Sequence, residues 1–389
     1  MTKREAVIIG VGDVPLKEGK VLEPMTPLQV QALAAHSALH DAGIEMQDVD
    51  GLLVANTWGI PGAGQVPTIT MAEYFGITPR FVDGTSIGGA AFEAHVGHAA
   101  LALEAGRCEV ALITYGSTQK SERSRSLAGR PASLTMQYET PWGMPTPIGG
   151  YALSAMRHMH EFGTTSEQLA EVAVSARKWA SLNPDAMMRG PLSVEDVLSS
   201  RMISDPLHQL DACLVTDGGG AIVMTTADHA RALGKTPVFV RGCGEANTHL
   251  TVSSMPDMAR LTSAQIAGQQ AFERAGVTHS AIDVVEVYDS FTITVLMTLE
   301  ALGFCQAGEG GAFVSSSRTA PGGAFPMNTN GGGLSYAHPG MYGIFLLVEA
   351  VRQLRGECGP RQVKDAVNAL VHGTGGTLSS GATCILSLK

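Results

Sequence analysis

The chain has 389 residues, 44% of them hydrophobic and 16% charged, with 46 glycines. That is enough for two or three domain-sized units with large cores, and it excludes intrinsic disorder. A formal net charge of −10 argues against a nucleic-acid partner, whose backbone demands a basic face.

An anionic ligand must therefore be held locally, by helix N-termini and a few basic side chains. Low charged content also favours a homodimer or a larger assembly. Six scattered cysteines, Cys108, Cys213, Cys243, Cys305, Cys358 and Cys384, form no C-x-x-C pair and read as reduced thiols. Met1–Glu5 runs straight into a strand-like segment with no secretory h-region, and no apolar run reaches membrane-spanning length. A cytoplasmic protein with no membrane contact is expected.

The first strand is "AVIIGVGDV". Its Gly10-Val11-Gly12 invites a dinucleotide-binding reading, but Pro15 stands where the third glycine belongs. A helix follows, closed at Gly43; its His36 and His40 lack the H-E-x-x-H frame of a zinc helix, so no metal is expected. After the strand "GLLVAN" comes "FVDGTSIGGAAFEAHVGHAALAL", residues 81–103: a strand, a Gly-rich turn and an apolar helix. Gly84–Gly88 fits G-x-S-x-G and makes Ser86 a candidate nucleophile, although so short a pattern is often only a turn.

The strand "EVALITYGS" leads into residues of about 117–210, rich in proline and carrying Arg123, Arg125 and Arg130, a guess for phosphate contacts. Such an insertion usually builds a binding wall or lid. "VTDGGGAIVM" then reads as a turn into a central strand, its glycines for packing.

The remainder repeats the opening. Aligning Gly43 with Gly276 also matches Ala38 with Ala271, Ala42 with Ala275, Asp50 with Asp283 and Val54 with Val287. Alternating strands and helices, twice over, predict an α/β chain of two related halves. The first spans 1–235, including the insertion, and the second 236–389. Four Gly-flanked stretches end near strand C-termini, where α/β folds place ligands. They hold Ser86, Tyr288-Asp289-Ser290-Phe291, His338 and His372.

The blocks "VYDSFTITVLMTLEALGFCQAGEGGAFV", "NTNGGGLSYAHPGMYGIFLLVEAVRQLRG" and "HGTGGTLSSGATCILSL" resemble the thiolase superfamily, in particular its sterol-carrier-protein thiolase branch. The resemblance implies a duplicated thiolase fold, two stacked five-layered αβαβα halves with an inserted loop domain. It also implies an acyl-CoA substrate, no cofactor beyond that coenzyme A, and a dimer or dimer of dimers. Matching the family's V-x-x-x-C-x-x-G turn puts Ser86 at the nucleophile position. The N-E-A-F or H-D-C-F block falls on Tyr288–Phe291, the G-H-P histidine on His338, and the late C-x-G on His372-Gly373-Thr374.

Every catalytic cysteine is thus replaced, by Ser86, Ser290 and His372. A serine hydroxyl cannot take over a thiolate's work without a dedicated base. The resemblance then points to the thiolase-like aldolases, which cleave a 3-hydroxyacyl-CoA of steroid side-chain type by retro-aldol chemistry. On that reading Tyr288, His338, Tyr342 and His372 are unranked acid–base candidates. Amides of Ser86 and near Thr374 form an oxyanion hole, with Asp289, Asn330 and Thr374 on the substrate side; Asp289 alternatively caps the helix that follows it. A separate small partner with an OB-fold and a zinc ribbon is implied too. The rival readings are an acyltransferase using Ser86 or another nucleophile, and a non-catalytic subunit that binds acyl-CoA.

Overall fold

The structure, a computed structural model, describes residues 4–56, 66–122 and 133–389. Arg123, Arg125 and Arg130 lie outside them. Among the described residues nine strands share one mixed sheet. In chain order they are β1 (Ala6–Asp13), β2 (Gly51–Val54), β3 (Phe81–Asp83), β4 (Ala111–Ser117), β5 (Gly218–Thr226), β6 (Val238–Asn247), β7 (Val284–Val287), β8 (Asn368–Gly375) and β9 (Ser380–Ser387). The spatial order is β7-β8-β9-β6-β1-β5-β4-β2-β3.

From the middle outward both sides read alike. β1 pairs antiparallel with β5, β5 antiparallel with β4, and β4 parallel with β2, which pairs parallel with β3. On the other side β6 pairs antiparallel with β9, β9 antiparallel with β8, and β8 parallel with β7, which makes a parallel bridge to Met327. The two half-sheets are joined. Val7 pairs with Phe239 and Ile8 with Val238, joining β1 to β6. Each would otherwise end its half-sheet with unpaired backbone groups, and the short antiparallel contact satisfies both.

Among the described residues seven longer helices cover the sheet: α1 (Pro27–Ala42), α2 (Ala91–Glu104), α3 (Ile148–Phe162), α4 (Ser166–Leu182), α5 (Thr262–Ala275), α6 (Thr292–Ala301) and α7 (Gly343–Arg355). Helix α1 packs on Val7, Ile9, Leu52 and Val223. Helices α5 and α6, with α3 and α4 of the insertion, pack around Val285, Leu370 and Ile385. The opposite sheet face is shared by α2 and α7, whose Phe92, Val96, Ile344 and Leu347 meet Ile8, Ile113, Val371 and Leu386. Both helices touch strands of both halves. Their N-termini therefore converge at the same end of the sheet.

The matched positions do matched work. Asp50 accepts the amides of Glu109 and Val110 at 2.8 and 2.9 Å, and Asp283 accepts those of Val367 and Asn368 at 2.8 and 2.9 Å. Each carboxylate thus seals the entry of the neighbouring strand. A Cβ on Gly10 would lie 2.2 Å from the Ala38 carbonyl oxygen, and one on Gly242 would lie 2.2 Å from that of Ala271. Glycine on the strand and alanine on the helix let the two backbones meet. This is why Gly10 is there, and it has nothing to do with a dinucleotide.

Candidate active site

Strand β3 ends in a turn that climbs through one 3-10 turn, Gly88–Ala90, into α2. Gly88 has φ +71°, and Gly89 lies so close to the opposite half that a Cβ would sit 2.1 Å from the Tyr288 ring and 2.7 Å from the Thr374 carbonyl oxygen. A Cβ on Gly88 would sit 2.6 Å from the Gly376 amide nitrogen. Two Gly-rich backbone turns, 86–89 and 374–376, therefore meet at the N-terminus of α2, where free amides and the helix dipole favour an anion. Ser86 itself is exposed. Among the described residues no hydrogen-bond partner, and so no base, reaches its hydroxyl.

Opposite this turn stands Tyr288, just past the end of β7. Its hydroxyl lies 2.9 Å from His338 Nε2 and accepts the Tyr342 amide hydrogen at 3.1 Å. The direction of the bond to His338 follows the ring's tautomer: with Nε2 unprotonated, the phenol donates to the imidazole. Burial pushes the Tyr288 hydroxyl well above the usual tyrosine value and pulls His338 down to about 4, so the resting pair is neutral. His338 is held at both ends of its peptide: its amide donates to Thr216 Oγ1 at 3.0 Å, and its carbonyl accepts the Thr216 amide at 3.1 Å. Thr216 was missed in the sequence, where "VTDGGG" read as packing only.

Tyr342 stacks on His338 and is fully buried, and its hydroxyl donates to Asn330 Oδ1 at 2.9 Å. Asn330 Oδ1 also accepts the Gly332 amide at 2.8 Å. Asp289 accepts the amides of Gly333 and Leu334 at 2.7 and 3.1 Å, so it anchors the loop that carries His338 rather than its own following helix. Burial raises the Asp289 carboxyl to about 7, against those two hydrogen bonds.

His372 is not brought to this cluster. It pairs in register with Val287 and Thr383, its Nδ1 lies 2.8 Å from Thr383 Oγ1, and its ring turns toward the start of α5 near Ser263. Strand alternation puts Tyr288 on the opposite sheet face from Val287, and hence from His372. Burial lowers His372 to about 3.

A second acid was missed. Glu93, in the first turn of α2, is buried with both oxygens unpartnered, against Gly343 and Gly373. Burial raises it to about 8, so at neutral pH it is uncharged and leaves the positive end of the helix uncompensated. An acid in the first turn of a largely apolar helix was the available signal. Among the described residues no three His, Cys, Asp or Glu side chains are grouped to hold a metal ion, and no helix is long and apolar enough to cross a membrane.

Comparison with known proteins identifies the family and the fold. Residues 244–388 match the family described as thiolase C-terminal domain-like. An acetyl-CoA acetyltransferase of Methanothermobacter thermautotrophicus is 33% identical over 99% of this chain and 100% of its own. A steroid side-chain-cleaving aldolase of Thermomonospora curvata is 34% identical over 97% of this chain and 96% of its own. The solved structure of an Ltp2-ChsH2(DUF35) aldolase superposes with a TM-score of 0.87 at 33% identity, covering 98% of this chain and 97% of its own. The chain belongs to the thiolase superfamily, on the branch of sterol-carrier-protein thiolases and thiolase-like aldolases.

Proposed function

We propose that this protein is a thiolase-like carbon–carbon lyase that cleaves a 3-hydroxyacyl-CoA with a bulky, steroid-like side chain into a ketone and a shorter acyl-CoA. The observation that carries this reading is the Tyr288 hydroxyl, held between the His338 imidazole and the Tyr342 amide. Tyr288 takes the proton of the substrate's β-hydroxyl as it passes its own to His338 Nε2. The Cα–Cβ bond breaks, the ketone leaves, and the electron pair moves into the thioester enolate. The amides of the 86–89 and 374–376 turns hold that enolate, each donor worth a few kcal/mol. His338 then returns the proton through Tyr288 to the enolate carbon, and no proton is gained or lost overall.

A buried imidazole of low basicity is a poor base alone. Here its positive charge appears together with the enolate's negative one, so the net charge of the site stays constant. The Tyr342 hydroxyl is committed to Asn330, which leaves its amide as its contribution.

The acetyltransferase reading needs an activated nucleophile. Ser86 is exposed and, among the described residues, has no base. The Cys213 amide donates to the Ser290 carbonyl at 3.0 Å, and burial drives the Cys213 thiol well above the usual range. We further place the enzyme in the cytoplasm as a homodimer or larger assembly. A separate small partner with an OB-fold and zinc ribbon fits the two-part name of the structural neighbour.

The test is turnover of a synthetic 3-hydroxyacyl-CoA with a branched, steroid-like tail, followed by mass spectrometry with and without free CoA. Ketone and short acyl-CoA should appear without added CoA, and equally in Ser86→Ala. Consumption of a 3-oxoacyl-CoA only with added CoA, lost in Ser86→Ala, would overturn the reading. Binding without turnover of either ester would favour the non-catalytic subunit.

A further inference from the structure

The 86–89 oxyanion turn and the acid–base pair come from opposite halves of the chain, so the reaction depends on how one half is registered against the other. A polar cluster outside the site spans that gap. Asp83, the last residue of β3, accepts the amide and hydroxyl of Thr85 through Oδ1, both at 2.8 Å, and so shapes the turn that leads to Ser86. Its Oδ2 lies 2.5 Å from His98 Nδ1 on α2, and His98 Nε2 lies 3.3 Å from the carboxylate of Glu245 on β6. His95, one turn earlier on α2 and fully buried, bonds the Thr85 carbonyl at 2.9 Å through Nε2.

Only an imidazolium can donate from both nitrogens to two carboxylates. In agreement, the Asp83 hydrogen bond raises His98 to about 9 despite its half-burial, while burial lowers His95 to about 4 and keeps it neutral. The charged ring thus ties β3 of the first half to β6 of the second. Strand β6 is continuous through β9 and β8 with β7, which carries Tyr288.

We propose that Asp83, His98 and Glu245 form a positioning clamp, touching neither substrate nor reacting atoms, that holds the Ser86 turn in register with Tyr288 and His338. The inference rests on the retro-aldol reading above. Its physical basis is the sensitivity of oriented catalysis to small displacements, where a shift of about 1 Å costs about a hundredfold in rate. Substituting His98 removes the partner of Asp83 Oδ2 and leaves the carboxylate held only by Thr85, so the turn loses its outer support.

The experiment combines hydrogen exchange of the 84–89 amides with kinetics on the 3-hydroxyacyl-CoA, in wild type, His98→Gln and Glu245→Gln. In His98→Gln the turn amides should exchange faster while those of residues 330–338 do not. Its kcat should fall about tenfold or more with KM nearly unchanged, because the turn acts on the enolate and not on the resting ester. Glu245→Gln, at a side chain 42% exposed and so safe for folding, should show the same pattern more weakly.

Unchanged exchange, unchanged kcat, or a loss in KM alone would overturn the clamp. Absence of ketone from the wild type would overturn the retro-aldol reading instead, and the exchange data would then decide whether the clamp holds the turn.

Discussion

The end of β2 carries Ala55, buried and chemically inert; the matching place after β7, at the 233-residue spacing that relates Gly43 to Gly276, carries Tyr288. Behind these positions the two halves agree in detail, from the Asp50 and Asp283 seals to the Gly10 and Gly242 contacts. In front of them they diverge. The first half offers a backbone turn whose one side-chain candidate, Ser86, is exposed; the second offers buried Tyr288, Tyr342 and His338. Positions that repeat within the chain carry the architecture, and on the proposed mechanism positions that break the repeat carry the chemistry.

The sharpest break in that comparison is Tyr288→Phe. The ring still fills the space beside Gly89, but His338 loses its partner and the Tyr342 amide its acceptor. We expect kcat to fall by about 10²- to 10⁴-fold, the usual worth of a general acid–base group, with a loss of stability of about 1–3 kcal/mol for the amide left without an acceptor. A loss below about tenfold would move the chemistry elsewhere.

The architectural half of the comparison predicts equal costs at repeated positions. Gly10→Ala and Gly242→Ala each drive a methyl group to 2.2 Å from a helix carbonyl oxygen. Each should destabilise by about 1–3 kcal/mol in denaturant titration, as overpacking does. If one is costly and the other neutral, the halves do not share this packing device.

Acid should unfold both halves by the same route. His95 in the first half and His338 and His372 in the second are held neutral by burial, at about 4, 4 and 3 against a free value of 6.5. Their folded pKa values are lowered, so the unfolded chain binds more protons between about pH 4 and 6.5. These rings therefore contribute a stability that rises with pH across that window, against the opposite slope of Glu93 and Asp289, which keep their protons in the fold to about 8 and 7. An acid slope of Tm that is the same in His372→Asn as in the wild type would show that ring to be hydrated. His372→Asn, which can keep the Thr383 hydrogen bond, should remove part of the acid slope and leave kcat at pH 7 intact.

Much of this was legible in the sequence because glycine and alanine spacing, strand alternation and the duplicated Asp are short-range signals. Ser86, Tyr288, His338, Tyr342, Asn330 and Thr374 could be named because Gly-rich turns at strand ends mark where an α/β fold opens. What could not be read is where a side chain points. His372 lies two residues from Thr374 in one strand, and only pairing with Thr383 turns its ring toward α5. Asp289 looks like a cap for the helix after it, yet it serves a loop 44 residues further on, a contact that depends on tertiary folding. The joining of the half-sheets rests on two residue pairs, too few to leave a pattern.

The smallest predicted effect is the one that separates this chain from a serine-nucleophile enzyme. Ser86 stands where the thiolase-like turn would present its nucleophile, but on the proposed mechanism the turn works through its amides, and an alanine keeps every amide. The hydroxyl is exposed, with no histidine or carboxylate in reach among the described residues; His95 bonds the preceding carbonyl instead. Ser86→Ala should therefore change kcat and stability by no more than about 0.5 kcal/mol, or about twofold in rate. A collapse of turnover, with an acyl group trapped on Ser86 in the wild type, would mean that the first half supplies a reacting side chain after all. The contrast between an architectural and a chemical half would then fail at the position where it is most exposed to test.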